Sequence, residues 1–331
     1  MDNIEKLNGI LKSFRIKAGC TDFKEYNNAY FYDLALNPGT RVRDIQKYST
    51  EIALALKAVN KPRISVLSEQ GIVRFEFLKS SRNKIPLLEL GGKTKRPPGA
   101  LTCLMGETLE GEPVWIDLVK NPHMIVAGCT GSGKSTILHT LIANLLLHRN
   151  VKVFLMDPKN IEFYKYDESK IRSVKVSYSY QDCLNTLELI EEEMNYRYLK
   201  IKESKVDVRT FPYITLVIDE FADLIMQDYD SNFFKKLCVV AQKSRAARIH
   251  IILATQRPSV NIVNGAIKAN FPARLACKVS SAVDSRVILD QSGAENLVGN
   301  GDSIINNVEH TYKRFQAAYT DADEVCRYFT K

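Results

Sequence analysis

The sequence predicts an α/β protein in which a mostly parallel sheet is flanked by helices and preceded by a smaller α/β domain. Three observations carry that expectation. Short apolar runs alternate with amphipathic stretches from residue 124 onward, a run rich in chain breakers divides the sequence near residue 95, and one apolar run leads into a glycine-rich loop followed at once by a helical pattern.

The first domain is expected over residues 1–100, including its linker. An amphipathic N-terminal helix precedes an alternating, strand-like run at 30–36, and Pro38-Gly39 supplies a turn. A helical stretch follows at 44–59, then two further strand-like runs at 63–67 and 71–77. Residues 91–99, with Gly91, Gly92, Pro97, Pro98 and Gly99 among Lys93, Lys95 and Arg96, read as the boundary. The second domain is expected over 101–331. Its strands are placed at 124–127, 151–156, 214–218, 249–254 and 273–279, with helices at 137–147 and 181–202 between them. Thr320-Asp321-Ala322-Asp323 has the residue types of a capped helix start.

Composition excludes several classes. With 45% hydrophobic residues in 331 the chain has ample material for packed cores. The longest apolar runs fall short of the roughly 18 residues a membrane span needs, and the N-terminus has no secretory-leader pattern, so a cytoplasmic protein with no bilayer insertion is expected. Seven dispersed cysteines and five scattered histidines form no disulfide framework and no Cys/His metal signature. The net charge of +8 is compatible with a polyanionic partner and does not by itself require one.

The apolar run 124–127 enters Gly128-Cys129-Thr130-Gly131-Ser132-Gly133-Lys134-Ser135-Thr136, and a helical pattern follows directly. Strand, G-x-x-x-x-G-K-S and helix together make a phosphate-binding loop. Glycines let the backbone amides close around phosphates, and the helix N-terminus adds partial positive charge. Lys134 is expected at the β- and γ-phosphates of ATP and Ser135 on Mg²⁺. Cys129 reads as a packing side chain within the loop. The run 214–218 ends in Asp219-Glu220, which assigns Asp219 to the metal and Glu220 to the water-activating base. Gln256, at the end of the run 249–254, is a candidate γ-phosphate sensor, with a solubilising turn as the plain alternative.

These motifs, with Phe221-Ala222-Asp223-Leu224 after the acidic pair, Ala254-Thr255-Gln256-Arg257-Pro258-Ser259-Val260, Ile267-Lys268-Ala269-Asn270-Phe271-Pro272 and Asp284-Ser285-Arg286, resemble the FtsK/SpoIIIE family. The resemblance is strong over about 105–331 and weak over 1–90. It implies a RecA-like ATPase that forms a homo-oligomeric, hexameric ring around double-stranded DNA, with nucleotide between subunits and no sequence preference. It also implies that Arg245 is a trans-acting arginine finger, with an ordinary exposed arginine as the alternative. By the same resemblance Arg257, Lys268 and Arg286 would lie near the ring channel as DNA phosphate contacts, with ordinary surface cations as the alternative. From the sequence a motor without membrane segments and without an orienting winged-helix domain is expected, and Ala282 stands where relatives favour lysine. These departures fit DNA handling by a mobile element, plasmid or phage, recruited by a partner the sequence does not name. FtsK-like ATPases that power protein export are the competing reading.

Overall fold

The computed structural model describes residues 3–58, 61–79, 83–148 and 150–330. The chain divides into two units, one running to Lys84 with 109–112 added, the other comprising 85–108 and 113–331.

In the first unit, α1 (Asn3–Ser13), β1 (Ala18–Glu25), β2 (Ala29–Leu36), α2 (Val42–Lys47), α3 (Ser49–Ala55), β3 (Arg63–Leu67) and β4 (Ile72–Leu78) build an antiparallel sheet in the order β1-β2-β4-β3. Leu7, Leu11, Ile45 and Ile52 from the helices pack on Tyr32, Leu34, Val73 and Phe75 of the sheet. Sequence patterning misses β1 because a register shift between Cys20 and Asp22 interrupts its alternation and only Cys20 is buried. The helical stretch expected at 44–59 is two helices. The chain breaks at Tyr48, whose φ of −99° and ψ of 12° cap α2 and begin α3, and Val59 lies outside the described residues.

The second unit adds α4 (Leu87–Lys93), β5 (Thr102–Thr108), β6 (Pro113–Asp117), β7 (His123–Ala127), α5 (Lys134–Leu146), β8 (Val151–Met156), α6 (Tyr164–Glu168), β9 (Val174–Ser177), α7 (Tyr180–Ser204), β10 (Tyr213–Ile218), α8 (Phe221–Gln227), α9 (Asn232–Lys243), β11 (Ile249–Thr255), α10 (Gly265–Asn270), β12 (Ala273–Ala276), α11 (Ala282–Leu289), β13 (Asp302–Asn306), β14 (Tyr312–Ala317) and α12 (Ala322–Phe329). Among the described residues its ten strands lie in the order β6-β5-β14-β13-β12-β7-β11-β10-β8-β9. The block from β12 to β9 is parallel and the remaining four strands are antiparallel, giving the mostly parallel sheet the sequence implies. Residues 85–100, grouped by sequence with the first domain, cluster here. Leu87 N donates to Tyr319 O at 2.9 Å, Leu87 and Leu90 are buried in this core, and α4 runs through Gly91 and Gly92.

Strand alternation sorts the core onto two faces. Met124 and Val126 of β7 join Ile137, Leu138 and Leu141 of α5, while Ile125 and Ala127 face the cluster that contains Leu187 and Ile190 of α7 and Leu237 of α9. The strands are apolar on both sides, so they read as continuous runs.

At the opening ends of β7 and β11, His123 and His250 are almost wholly buried. Ile251 N donates to His123 Nδ1 at 3.1 Å, so that nitrogen is the unprotonated one, and His250 Nδ1 lies 3.3 Å from Pro122 O. Burial lowers His123 to about 4 and His250 to about 3. The unfolded chain binds these protons near pH 6.5 and the folded chain does not, so stability falls as pH drops from about 6.5 toward the folded values. A His250→Gln variant should lose less stability than wild type between pH 7 and pH 5, by about 2 kcal/mol. Urea melts at the two pH values measure this, and equal losses would mean that His250 accepts a proton in place.

Candidate nucleotide site

Every residue singled out from the apolar run endings converges at the carboxyl ends of β7, β10 and β11, where open parallel sheets bind ligands. The loop between β7 and α5 needs its glycines. Gly131 and Gly133 have φ of 75° and 103°, and a Cβ on Gly133 would lie 2.6 Å from Gly301 Cα. The loop is held from behind. Cys129 N donates to Lys278 O at 2.8 Å, Gly301 N to Ser132 O at 2.8 Å and Asn300 N to Gly131 O at 3.3 Å. The helical ladder has Ile137 N donating to Gly133 O at 3.1 Å, so the amides of Lys134, Ser135 and Thr136 precede it and face outward as phosphate donors.

Lys134 is 4% exposed, and its ammonium donates to Asp219 O at 2.9 Å and to the Asp219 carboxylate. Burial pushes the Asp219 carboxyl above its usual range, with Lys134 pulling the other way. The Ser135 hydroxyl donates to Glu162 Oε2 at 2.7 Å. Glu220, 1% exposed, follows β10, and its Oε1 accepts from the Thr255 hydroxyl at 2.7 Å while its Oε2 accepts from Gln256 N at 3.1 Å. Lys159 Nζ stands 3.7 Å from Glu220 Oε2 and 3.3 Å from Asp223 Oδ2. Thr130 of the loop donates to Gln256 Oε1 at 3.0 Å, bringing the expected sensor to the loop. Half-buried Cys129 lines a cleft of about 220 Å³ with Gln256, Arg257 and Asp284.

Sequence reasoning missed Asp157, Lys159, Glu162 and Thr255. The available signal was positional: Asp157-Pro158-Lys159 ends β8, the strand beside β10, and so reaches the same sheet edge as Asp219. The hydroxyl of Ser135 and the carboxylate of Asp219 form a lean oxygen set, which fits a Mg²⁺ ion that takes its other ligands from nucleotide phosphates and water.

Arg245 lies elsewhere, in the turn Ser244–Ala247 that leads into β11 from α9. That places it at the opposite end of the sheet from its own phosphate loop. The turn is firmly seated: fully buried Arg197 of α7 donates from Nη1 to Ala247 O at 2.7 Å and to Pro212 O at 2.8 Å, and Tyr198 bonds Lys243 O. Arg245 itself is exposed, on a cleft shared with Asp117, Lys120 and Asn121. Arg257 and Arg286 are exposed. Lys268 is not a free cation, because it pairs at 2.9 Å with Asp290, which also holds Arg274.

With this geometry in place, the profile described as FtsK/SpoIIIE family matches residues 88–211 and 207–260, together more than half the chain. The chain belongs to the FtsK/SpoIIIE family. It is 32% identical to the DNA translocase FtsK of Corynebacterium glutamicum over 97% of this chain and 38% of that protein, and 33% identical to FtsK of Treponema pallidum over 95% and 42%. It therefore spans about two fifths of these relatives. In fold, the pCW3 conjugation coupling protein TcpA, solved as a monomer with ATPγS, aligns at a TM-score of 0.68 and 20% identity over 97% of this chain and 96% of that one. The cytoplasmic domain of the Thermomonospora curvata type VII secretion ATPase EccC aligns at 0.65 and 22% over 75% and 34%. The family read from the motifs stands, as does the α/β fold with its mostly parallel, helix-flanked sheet. No helix among the described residues is long and apolar enough to cross a membrane.

Proposed function

We propose that the chain is the motor of an ATP-driven translocase that moves along double-stranded DNA as a head-to-tail, hexameric ring, without reading sequence. The observation that carries this reading is the division of the site across the sheet. Lys134, Ser135, Asp219, Glu220 and Gln256 gather at one end, and Arg245 is presented at the other. One chain thus holds a phosphate loop without a finger and a finger without a phosphate, and stacking one sheet end on the opposite end of the next chain supplies both.

In such a site the amides after Gly133 and the Lys134 ammonium hold the β- and γ-phosphates, and Ser135 and Asp219 hold Mg²⁺, which when bound neutralises charge on the phosphate oxygens. Glu220 takes the proton of the attacking water, its carboxylate aimed by Thr255 and the Gln256 amide. Gln256, tied to Thr130, reports whether the γ-phosphate is present. The DNA relatives and the +8 charge support duplex DNA as the track, with Arg257 and Arg286 as phosphate contacts and Lys268 available only by leaving Asp290. A mobile element, plasmid or phage genome is the cargo we favour.

The test is the ATPase rate with and without long duplex DNA over a salt series. Strong stimulation that fades as salt rises, equally for unrelated duplexes, is the expected result. Indifference to DNA would overturn the reading and favour an export ATPase.

A further inference from the structure

The loop 157–163 after β8 is folded around one carboxylate. Asp157 is fully buried, and its Oδ2 accepts three successive amides, from Ile161 at 2.9 Å, Glu162 at 2.8 Å and Phe163 at 2.8 Å. Three bonds to one oxygen fix the turn, and the turn aims Glu162 back at α5. Glu162 Oε2 accepts the Ser135 hydroxyl at 2.7 Å, and Glu162 Oε1 lies 2.8 Å from His139 Nε2. Ser135 and His139 are four residues apart on one face of α5, so the carboxylate bridges successive turns. His139 is fixed in turn by Tyr166 of α6, whose hydroxyl lies 2.9 Å from His139 Nδ1.

A serine hydroxyl has one proton and two lone pairs. When the proton is committed to Glu162, both lone pairs turn away from that carboxylate and become available to a cation. Asp219, the acid expected to share the metal, is occupied by Lys134, so Glu162 is the acceptor that sets the Ser135 rotamer. We propose that Glu162 is a positioning residue for the metal, orienting Ser135 toward Mg²⁺, with Asp157 and His139 holding it in place. This inference rests on reading 128–136 as the nucleotide loop.

The test uses the full chain with two probes: a fluorescent ADP analogue titrated in EDTA, and Mn²⁺ titrated by electron paramagnetic resonance in the presence of ADP. Glu162→Ala should bind the metal-free nucleotide as wild type does yet lose about 10–100-fold in Mn²⁺ affinity, the usual cost of removing a group that orients a metal ligand. Glu162→Gln, whose amide oxygen still accepts the Ser135 proton, should recover part of that loss. It also serves as the reporter if the alanine variant melts early. Wild-type Mn²⁺ affinity in both variants, with nucleotide binding intact, would overturn the proposal, as would an equal loss of metal-free nucleotide binding, which marks general damage to the loop. If wild type itself binds neither probe, the nucleotide reading fails first and the proposal falls with it.

Discussion

Replacing Glu220 by Gln is expected to leave ATP binding intact and to slow hydrolysis by about 10²–10⁴-fold, the range a general base contributes. The amide keeps the shape, and its single oxygen can still accept from the Thr255 hydroxyl, while its NH2 replaces the oxygen that accepts from the Gln256 amide, so the side chain stays packed with one acceptor fewer. What it cannot do is take a proton. Lys134→Ala should behave differently, because the ammonium is both a phosphate ligand and the partner of buried Asp219. Removing one member of a buried pair strands the other at about 3–5 kcal/mol, so this variant should lose nucleotide affinity and melt at a lower temperature. Titration of a fluorescent ATP analogue, steady-state turnover and a thermal melt on the two proteins separate the roles. Equal loss of nucleotide binding in both would remove the distinction between a phosphate-holding lysine and a water-activating glutamate.

How much was legible in the sequence follows from which features are local. The loop at 128–136 and the acids at 219 and 220 were readable because a strand end, a glycine pattern and a helix start are consecutive in the chain. The central strands were readable as apolar runs because both of their faces are covered. Strand β1 was not, since a register shift between Cys20 and Asp22 breaks the alternation that would have marked it. Glu162 was not, because its role depends on the sheet order that sets β8 beside β10 and on the bonds Asp157 makes to the following amides, neither of which leaves a spacing in the sequence. The buttress formed by Asn300 and Gly301 lies far along the chain from the loop it supports, and only the folded sheet brings them together. Lys268 illustrates the converse: the family resemblance offered it as a DNA phosphate contact, and the fold pairs it with Asp290.

Arg245→Ala is expected to abolish most DNA-stimulated ATPase activity, by about 10³–10⁵-fold if the residue acts as an arginine finger. The geometry rules out its own site as the place of action. Strand β11 separates the Ser244–Ala247 turn from Gln256, and seven strand residues span about 20 Å, beyond the reach of an arginine side chain. A finger here must serve a neighbour. That makes mixing decisive: an Arg245→Ala chain keeps Lys134, and a Lys134→Ala chain keeps Arg245. Each variant alone forms only defective sites. In mixed rings some interfaces join the intact loop of one chain to the intact finger of the next, so combining two inactive proteins should restore part of the DNA-stimulated rate. Labelled subunits must first show that both variants share rings. No recovery under that condition would assign Arg245 to a structural role and direct attention to Arg286, which is exposed, ahead of Arg274, which is already paired with Asp290.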